Sequence, residues 1–333
     1  MLGAIPSPSS KAIEIGPFDL RAYGLMIALG VFAAVWLAQR RWQQRGHDPE
    51  DFVYVAMRAV PAGLIGARLY HVITDWRTYQ DDWVEALKIW EGGLGIPGGM
   101  LAGVLVGVWA ARRRGMPLPD ALDAAAPALP LAQAIGRLGN WFNQELFGKP
   151  TDLPWGLEID LENRPSGYAS YETFHPTFLY EMLWNLGVCG LLLWLDSKRV
   201  VRRGYLIAVY VLAYATGRLW IELLRIDKAS RLFGVRINVW TSLIAIAASI
   251  VVLAVWGRRR GDEPDREPHP PAPDATVDEA TVDDATDEVE EADADADGEP
   301  SSDDTATADP APDDDFADLR ALLAEDDAEE AET

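Results

Sequence analysis

The chain holds one cysteine, Cys189, and four histidines in 333 residues. A single thiol excludes an intramolecular disulfide framework and any metal site built from clustered cysteines. Cys189 lies inside an apolar run and reads as a small buried residue. No nucleotide or metal motif is present and no 20–50-residue repeat is evident, so neither a cofactor nor a metal is expected. Basic residues are almost missing from one end. Gly261–Thr333 carries 30 of the 52 Asp and Glu but only Arg266 and Arg320, a net −28, whereas residues 1–260 carry a net +5. So acidic a stretch, with few aromatic or branched residues, cannot bury enough apolar surface to offset its ordering entropy. Residues 261–333 therefore read as a disordered acidic tail, which also argues against a nucleic-acid partner. Within it, Phe316–Asp327 ("FADLRALLAEDD") spaces Phe316, Leu319, Leu322 and Leu323 on one helical face. Two readings stand for it: a docking helix for a cytoplasmic partner, or a helical stretch arising by chance in a solubilising tail.

What the rest of the chain has in abundance is long apolar runs. A helix needs about 20 mostly apolar residues to cross a bilayer. Seven candidates run at Leu20–Ala38, Phe52–Ile73, Ile96–Ala111, Leu122–Ile135, Phe178–Leu195, Tyr205–Leu224 and Val239–Trp256. The second contains Arg58, Pro61 and Arg68, the third is short, and the fourth is Ala-rich with Pro127 and Pro130. Non-ideal spans are tolerated where protein or a wet cavity satisfies the backbone, so these point to something polar among the helices. The fold class is thus an all-α polytopic membrane protein of about seven spans: an outer segment 1–18, a membrane domain 19–260 and the tail 261–333.

Lys and Arg cluster after spans one, three, five and seven: "QRRWQQRG", "RRRG", "SKRVVRRG" and "GRRRG". By the positive-inside rule the N-terminus is outside and the C-terminus cytoplasmic. Met1–Pro17 is too weakly apolar for a cleavable signal peptide, which leaves the first span as the start-transfer element. Thr74–Glu91, with Trp76, Tyr79, Trp83 and Trp90, suits an outer interfacial belt, and Asn140–Pro176 reads as a small outer head. Gly95, Gly99, Gly103 and Gly107 recur every four residues, a stripe that lets a neighbouring helix come close.

Charges within spans are expensive and usually face a cavity or a partner. Arg68, Arg137, Arg218 and Arg225 all lie toward the outer half, with Glu222 one turn from Arg218. Glu222 can neutralise one arginine, and the remaining cationic excess calls for an anion. Guanidinium forks suit phosphate oxygens, which at this depth belong to a phospholipid. The alternatives are snorkelling arginines or structural pairs. The stretch Gly136–Gly148, "GRLGNWFNQELFG", supplies Arg137, with Asn140 and Asn143 three apart for hydroxyls or esters. Its Glu145 can orient an arginine, and Gly136, Gly139 and Gly148 permit close backbone approach. Together these suit a glycerol-phosphate head.

That stretch resembles the signature of the phosphatidylglycerol–prolipoprotein diacylglyceryl transferases. "YGLM" at Tyr23–Met26, "GARLYHV", "WEGGLGIPGGMLAGV", "HPTFLYE" and "GRLWIELLR" resemble further family motifs in order, over roughly residues 16–256. The resemblance implies transfer of the diacylglyceryl group of phosphatidylglycerol to the lipobox cysteine thiol of a prolipoprotein, with a thioether and glycerol 1-phosphate as products. It places the enzyme at the outer face of the bacterial cytoplasmic membrane. The family often has "FHGG" where this chain has Pro97 in "GIPGG", so a base at that position is absent here. For the implied chemistry Arg137 and Arg218 are assigned to the phosphate and thiolate. Arg68 assists as a head-group contact, Glu222 and Glu145 orient arginines, and Asn140, Asn143, Gly148 and Tyr23 hold the head group. His175 is the surviving candidate base, its alternative being a helix-entry cap; His71 is weaker, and Tyr180 and Glu181 brace the bundle. An anionic-solute transporter and a non-catalytic phospholipid-binding protein are the rival classes. Because the family pattern stops near residue 256, deleting Glu263–Thr333 should leave transfer in reconstituted vesicles at the full-length rate. A truncated chain without activity would give the tail an essential role.

Overall fold

The computed structural model describes residues 4–15, 18–80, 82–88 and 92–257. The tail, with the stretch Phe316–Asp327 read from the sequence as helical, lies outside them. The described residues form eight α-helices: α1 (Ala22–Gln43), α2 (Glu50–Thr74), α3 (Ile96–Arg113), α4 (Leu118–Ala125), α5 (Ala128–Asn143), α6 (Thr177–Ser197), α7 (Leu206–Leu224) and α8 (Ile237–Val255). Short strands make three antiparallel pairs: β1 (Ala12–Ile15) with β2 (Phe18–Arg21), β3 (Leu157–Glu158) with β4 (Thr173–Phe174), and β5 (Arg231–Leu232) with β6 (Val235–Arg236). The chain is a mostly helical, polytopic membrane protein.

Five helices, α1, α2, α6, α7 and α8, are long and apolar enough to cross a bilayer. The other two expected spans differ from that pattern. The third is α3, whose 18 residues include four glycines and two arginines and so fall short in apolarity. The fourth is two helices, because the chain breaks at Ala126–Pro127 into the eight residues of α4 and the sixteen of α5. Proline has no N–H to give the helix, and its ring crowds the carbonyl four residues back. Helix α5 then runs past Ile135, the expected end of the span, through Arg137 to Asn143.

Glycines let α2 and α3 pack backbone to backbone. A Cβ on Gly98 would overlap the Gly66 carbonyl and the Tyr70 side chain, and one on Gly99 would sit 3.0 Å from the Gly63 oxygen. Within the stripe seen in the sequence, Gly99 and Gly103 face Gly63, while Gly98 beside it faces Gly66. Pro97 lies in the first turn of α3, where its fixed φ favours helix initiation.

Ion pairs tie the arginine-rich end of the bundle. Arg41, buried in the last turn of α1, donates to the Asp196 carboxylate of α6 (3.1 Å) and to the carbonyls of Asp123 (2.9 Å) and Ala124 (3.1 Å). The Asp123 carboxylate accepts the backbone N–H groups of Gly204 and Leu206, capping the entry to α7. The clusters after spans one and five thus share an end, as alternation requires. At the opposite end, residues after α5 fold over a small core of Phe147, Leu157, Ile159, Phe174 and Phe178. Gln144 holds this region down, accepting from the Asp160 N–H (2.9 Å) and donating to the Asp160 carboxylate (2.6 Å).

Overpacking a tight core costs about 1–3 kcal/mol, and here the obstruction is backbone. Gly98→Val should therefore lower the thermal midpoint in detergent and reduce accumulation in membranes, while Gly24→Val, with open space around its Cβ position, should do neither.

Candidate functional site

The site forms where the ends of α5 and α7 and the starts of α6 and α8 converge. Helix α5 stops because Gln144 takes a left-handed conformation (φ 51°). That reversal carries Glu145 back over the last turn. Its Oε1 accepts from Asn140 Nδ2 (2.9 Å) and Asn143 Nδ2 (3.1 Å), and Asn140 Oδ1 accepts from Arg137 Nη1 (3.2 Å). The polar residues between the glycines are thus a hydrogen-bonded chain leading to one guanidinium. Gly139 makes room for Tyr23 of α1, since a Cβ there would fall 2.6 Å from the ring. Tyr23 is within electrostatic range of Glu145 and Arg137.

Arg137 also forms an ion pair with Glu181, Nε lying 2.5 Å from Oε2, and the other oxygen of Glu181 accepts from Arg218 Nη1 at 3.2 Å. The two arginines singled out in the sequence therefore meet on one carboxylate, which α6 brings between them. Arg218 reaches on to Glu222 Oε2 (2.9 Å), one turn along α7. Glu222 is fully buried and accepts from Arg236 Nε (2.5 Å) and Asn238 Nδ2 (3.2 Å), with Arg225 at 3.9 Å. Asp227 closes the group, pairing with Arg225 (2.7 Å) and Arg236 (3.1 Å). Burial alone would raise the pKa of Asp227, but its bonds from Arg225 and Arg236 hold the carboxyl below its ordinary value.

This alters the expected charge balance. Four guanidinium groups, Arg137, Arg218, Arg225 and Arg236, face three carboxylates, Glu181, Glu222 and Asp227, so the net excess is one charge. The side chains of Arg137 and Arg218 stay 19% and 18% exposed, against 6% and 12% for Arg225 and Arg236. Each guanidinium carries five N–H donors; one on Arg137 is hydrogen-bonded to Asn140 and one on Arg218 to Glu181, and the remaining contacts of the two groups with Glu181 and Glu222 are ion pairs. Uncommitted donors on two accessible cations can take the oxygens of one tetrahedral anion.

Three expected site residues have side chains or backbone committed to protein partners. Arg68 is buried, and its guanidinium donates to the carbonyls of Glu85 (2.6 Å), Ala86 (2.8 Å), Gly92 (2.5 Å) and Gly93 (3.0 Å). With four of its five N–H donors on backbone carbonyls it staples the loop between α2 and α3. Gly148 packs where three segments cross: its N–H donates to the His175 carbonyl (2.9 Å), and a Cβ would lie 2.8 Å from that of His175. A side chain there would obstruct that crossing. His175 pairs its Nδ1 with the Tyr180 hydroxyl (3.1 Å).

The sequence reading missed Arg236 and Asn238, and it gave Glu181 only a bracing role. An arginine at the mouth of a span looks like an interfacial anchor, so nothing local marked Arg236. Glu181, a carboxylate four residues into an apolar helix, carried the signal that had been applied to the arginines.

Partial burial, reinforced by nearby Lys149, pushes the His175 pKa below its ordinary value. With the folded value below the unfolded value of about 6.5, its contribution is present above that pH and is lost as pH falls through the folded pKa. Thermal midpoints in detergent should therefore drop between pH 7.5 and pH 5, and His175→Gln should shrink that drop. An unchanged drop would show that His175 does not supply it.

The sequence profile of the prolipoprotein diacylglyceryl transferases matches residues 10–255. Phosphatidylglycerol–prolipoprotein diacylglyceryl transferase of Streptomyces griseus is 50% identical over 285 residues, covering 83% of this chain and 86% of the relative. Enzyme 1 of that name from Streptomyces coelicolor is 50% identical over 265 residues (78% and 76%), and that of Cutibacterium acnes is 48% identical over 266 (78% and 90%). Every segment that builds the arginine cluster falls within the profile match, and the chain belongs to the prolipoprotein diacylglyceryl transferase family.

Proposed function

We propose that this chain transfers the diacylglyceryl group of phosphatidylglycerol to the lipobox cysteine thiol of a prolipoprotein, releasing glycerol 1-phosphate. The observation that carries this reading is the meeting of Arg137 and Arg218 on the two oxygens of Glu181. It gives two accessible cations, fixed before any substrate arrives, at the end of the bundle opposite the arginine-rich loops. Seven crossings serve this arrangement, with α3 as the third and the broken α4–α5 pair as the fourth. In the cytoplasmic membrane of a bacterium, with the N-terminus outside, the cluster faces the outer leaflet, where a secreted precursor and a phospholipid both arrive.

In the reaction a sulfur–carbon bond forms at the lipid glycerol carbon while the bond from that carbon to the phosphate oxygen breaks. The bonding pair stays on the phosphate. The thiol proton is balanced by the phosphate monoester produced, whose second ionisation lies near about 6. Arg137 and Arg218 hold the phosphodiester and lower the energy of both the approaching thiolate and the charge growing on the leaving oxygen. Glu222 and Glu181 orient Arg218, and the Asn140–Glu145–Asn143 chain orients Arg137 beside Tyr23. Pro97 can neither accept nor donate a proton, so this scheme places no base at the start of α3.

The test is the purified full chain in phosphatidylglycerol vesicles with a lipobox peptide, read by mass spectrometry. The peptide should gain one diacylglyceryl group on sulfur. Arg137→Ala and Arg218→Ala should each lower turnover by roughly 10²–10³-fold, the scale for losing a preorganised donor, while the protein still accumulates in membranes. A peptide of unchanged mass with the wild-type chain would overturn the reading, and near-normal turnover in either variant would remove that arginine from it.

A further inference from the structure

We infer that Asn185 accepts a hydrogen bond from a hydroxyl of the lipid head group, in a recess beside Arg218 that selects the head group; this rests on the arginine cluster seating the lipid phosphate. The recess opens between α6 and α7 and is lined by Glu181, Trp184, Asn185, Tyr214, Gly217 and Arg218. Asn185 lies one turn from Glu181 along α6, and Tyr214 one turn from Arg218 along α7. The recess therefore sits directly beneath the Arg218–Glu181 pair. Asn185 is 2% exposed, and its Oδ1 is buried with no hydrogen-bond partner among the described residues. A buried amide oxygen left without a donor is unfavourable, so such a group in a recess marks where a ligand's donor belongs.

The walls restrict what that donor can be. The Trp184 indole packs onto Gly217, where a Cβ would overlap it, and its Nε1 is already committed to the Ala213 carbonyl (3.0 Å). The space left has room for about one water-sized group. Arg218 on the rim disfavours a cationic donor such as a head-group ammonium. A neutral hydroxyl fits both limits. Three bonds separate the bridging phosphate oxygen of a glycerol head group from its nearer hydroxyl oxygen and four from its farther one, so the head group can extend along one helical turn of about 5.4 Å. The recess thus recognises a hydroxylated, uncharged substituent on a phosphodiester held by Arg218.

The experiment compares two anionic lipids in the reconstituted assay. One is phosphatidylglycerol; the other is phosphatidylpropanol, which keeps the phosphodiester and the three-carbon head but has no hydroxyl. The wild-type chain should favour phosphatidylglycerol by about tenfold in kcat/KM, the scale of one neutral hydrogen bond. Asn185→Leu should lose about tenfold on phosphatidylglycerol, change little on phosphatidylpropanol, and bring the ratio near one; Asn185→Ala gives the same readout should the leucine variant fail to accumulate. Equal rates of the wild type on both lipids overturn the inference. So does a wild-type ratio retained in the variants, which would leave the recess a seat for water only. Wild-type protein that transfers from neither lipid instead defeats the reading of the chain as a transferase.

Discussion

Glu222 is a carboxylate with no exposed surface, and the arrangement of the site follows from keeping it charged. An ionised group cannot stay in an apolar bundle unless partners replace its lost hydration. Its partners come from its own helix (Arg218, with Arg225 at 3.9 Å) and from the start of α8 (Arg236, Asn238). Glu181 repeats the device one step on, linking α6 to Arg137 of α5 and Arg218 of α7. These contacts fix one end of four helices in one register. Removing one partner of such a pair leaves a buried charge uncompensated, which costs about 3–5 kcal/mol. The cluster is therefore as much a constraint on folding as a binding surface, and a substitution in it must be read with membrane accumulation measured alongside turnover.

Periodicity and spacing made much of the architecture legible. The five longest apolar runs became α1, α2, α6, α7 and α8, and the glycine stripe announced the close packing of α3 on α2. The break between α4 and α5 was visible as Pro127, yet hydropathy alone joined the two into one span. Helix ends were harder to read. Nothing in a count of apolar residues says that α5 continues through "GRLGNWFN" as regular helix. What stops it is the left-handed turn at Gln144 (φ 51°), held by contacts to Asp160 sixteen residues away.

The candidate site was legible where charge was out of place and illegible where partners were non-local. Arg137, Arg218 and Glu222 stood out because each is expensive at its depth. Arg68 stood out on the same ground, and its guanidinium bonds loop carbonyls. Sequence marks that a buried guanidinium needs acceptors, but it does not say whether those acceptors are backbone carbonyls or a ligand. Arg236 has the opposite history: its position at a span boundary hid a contact of 2.5 Å to the most buried carboxylate in the group. Depth in the membrane is readable from one sequence, and the identity of the partner across the bundle is not.

The balance of four arginines against three carboxylates bears on how such a site would turn over. A phosphodiester carries one negative charge, whereas the phosphate monoester it yields carries about 1.5 to 2 at neutral pH. Four unopposed guanidinium groups would hold the product more firmly than the substrate and retard its release. Glu181 and Glu222 already occupy the nearest donors of Arg218, at 3.2 and 2.9 Å, and so weaken binding of any anion. The same carboxylates keep the guanidinium planes aimed in the absence of ligand, so little reorganisation is left for the moment of reaction. A cluster held near neutrality in this way gives up ground-state affinity while keeping the orientation on which stabilisation of a developing charge depends.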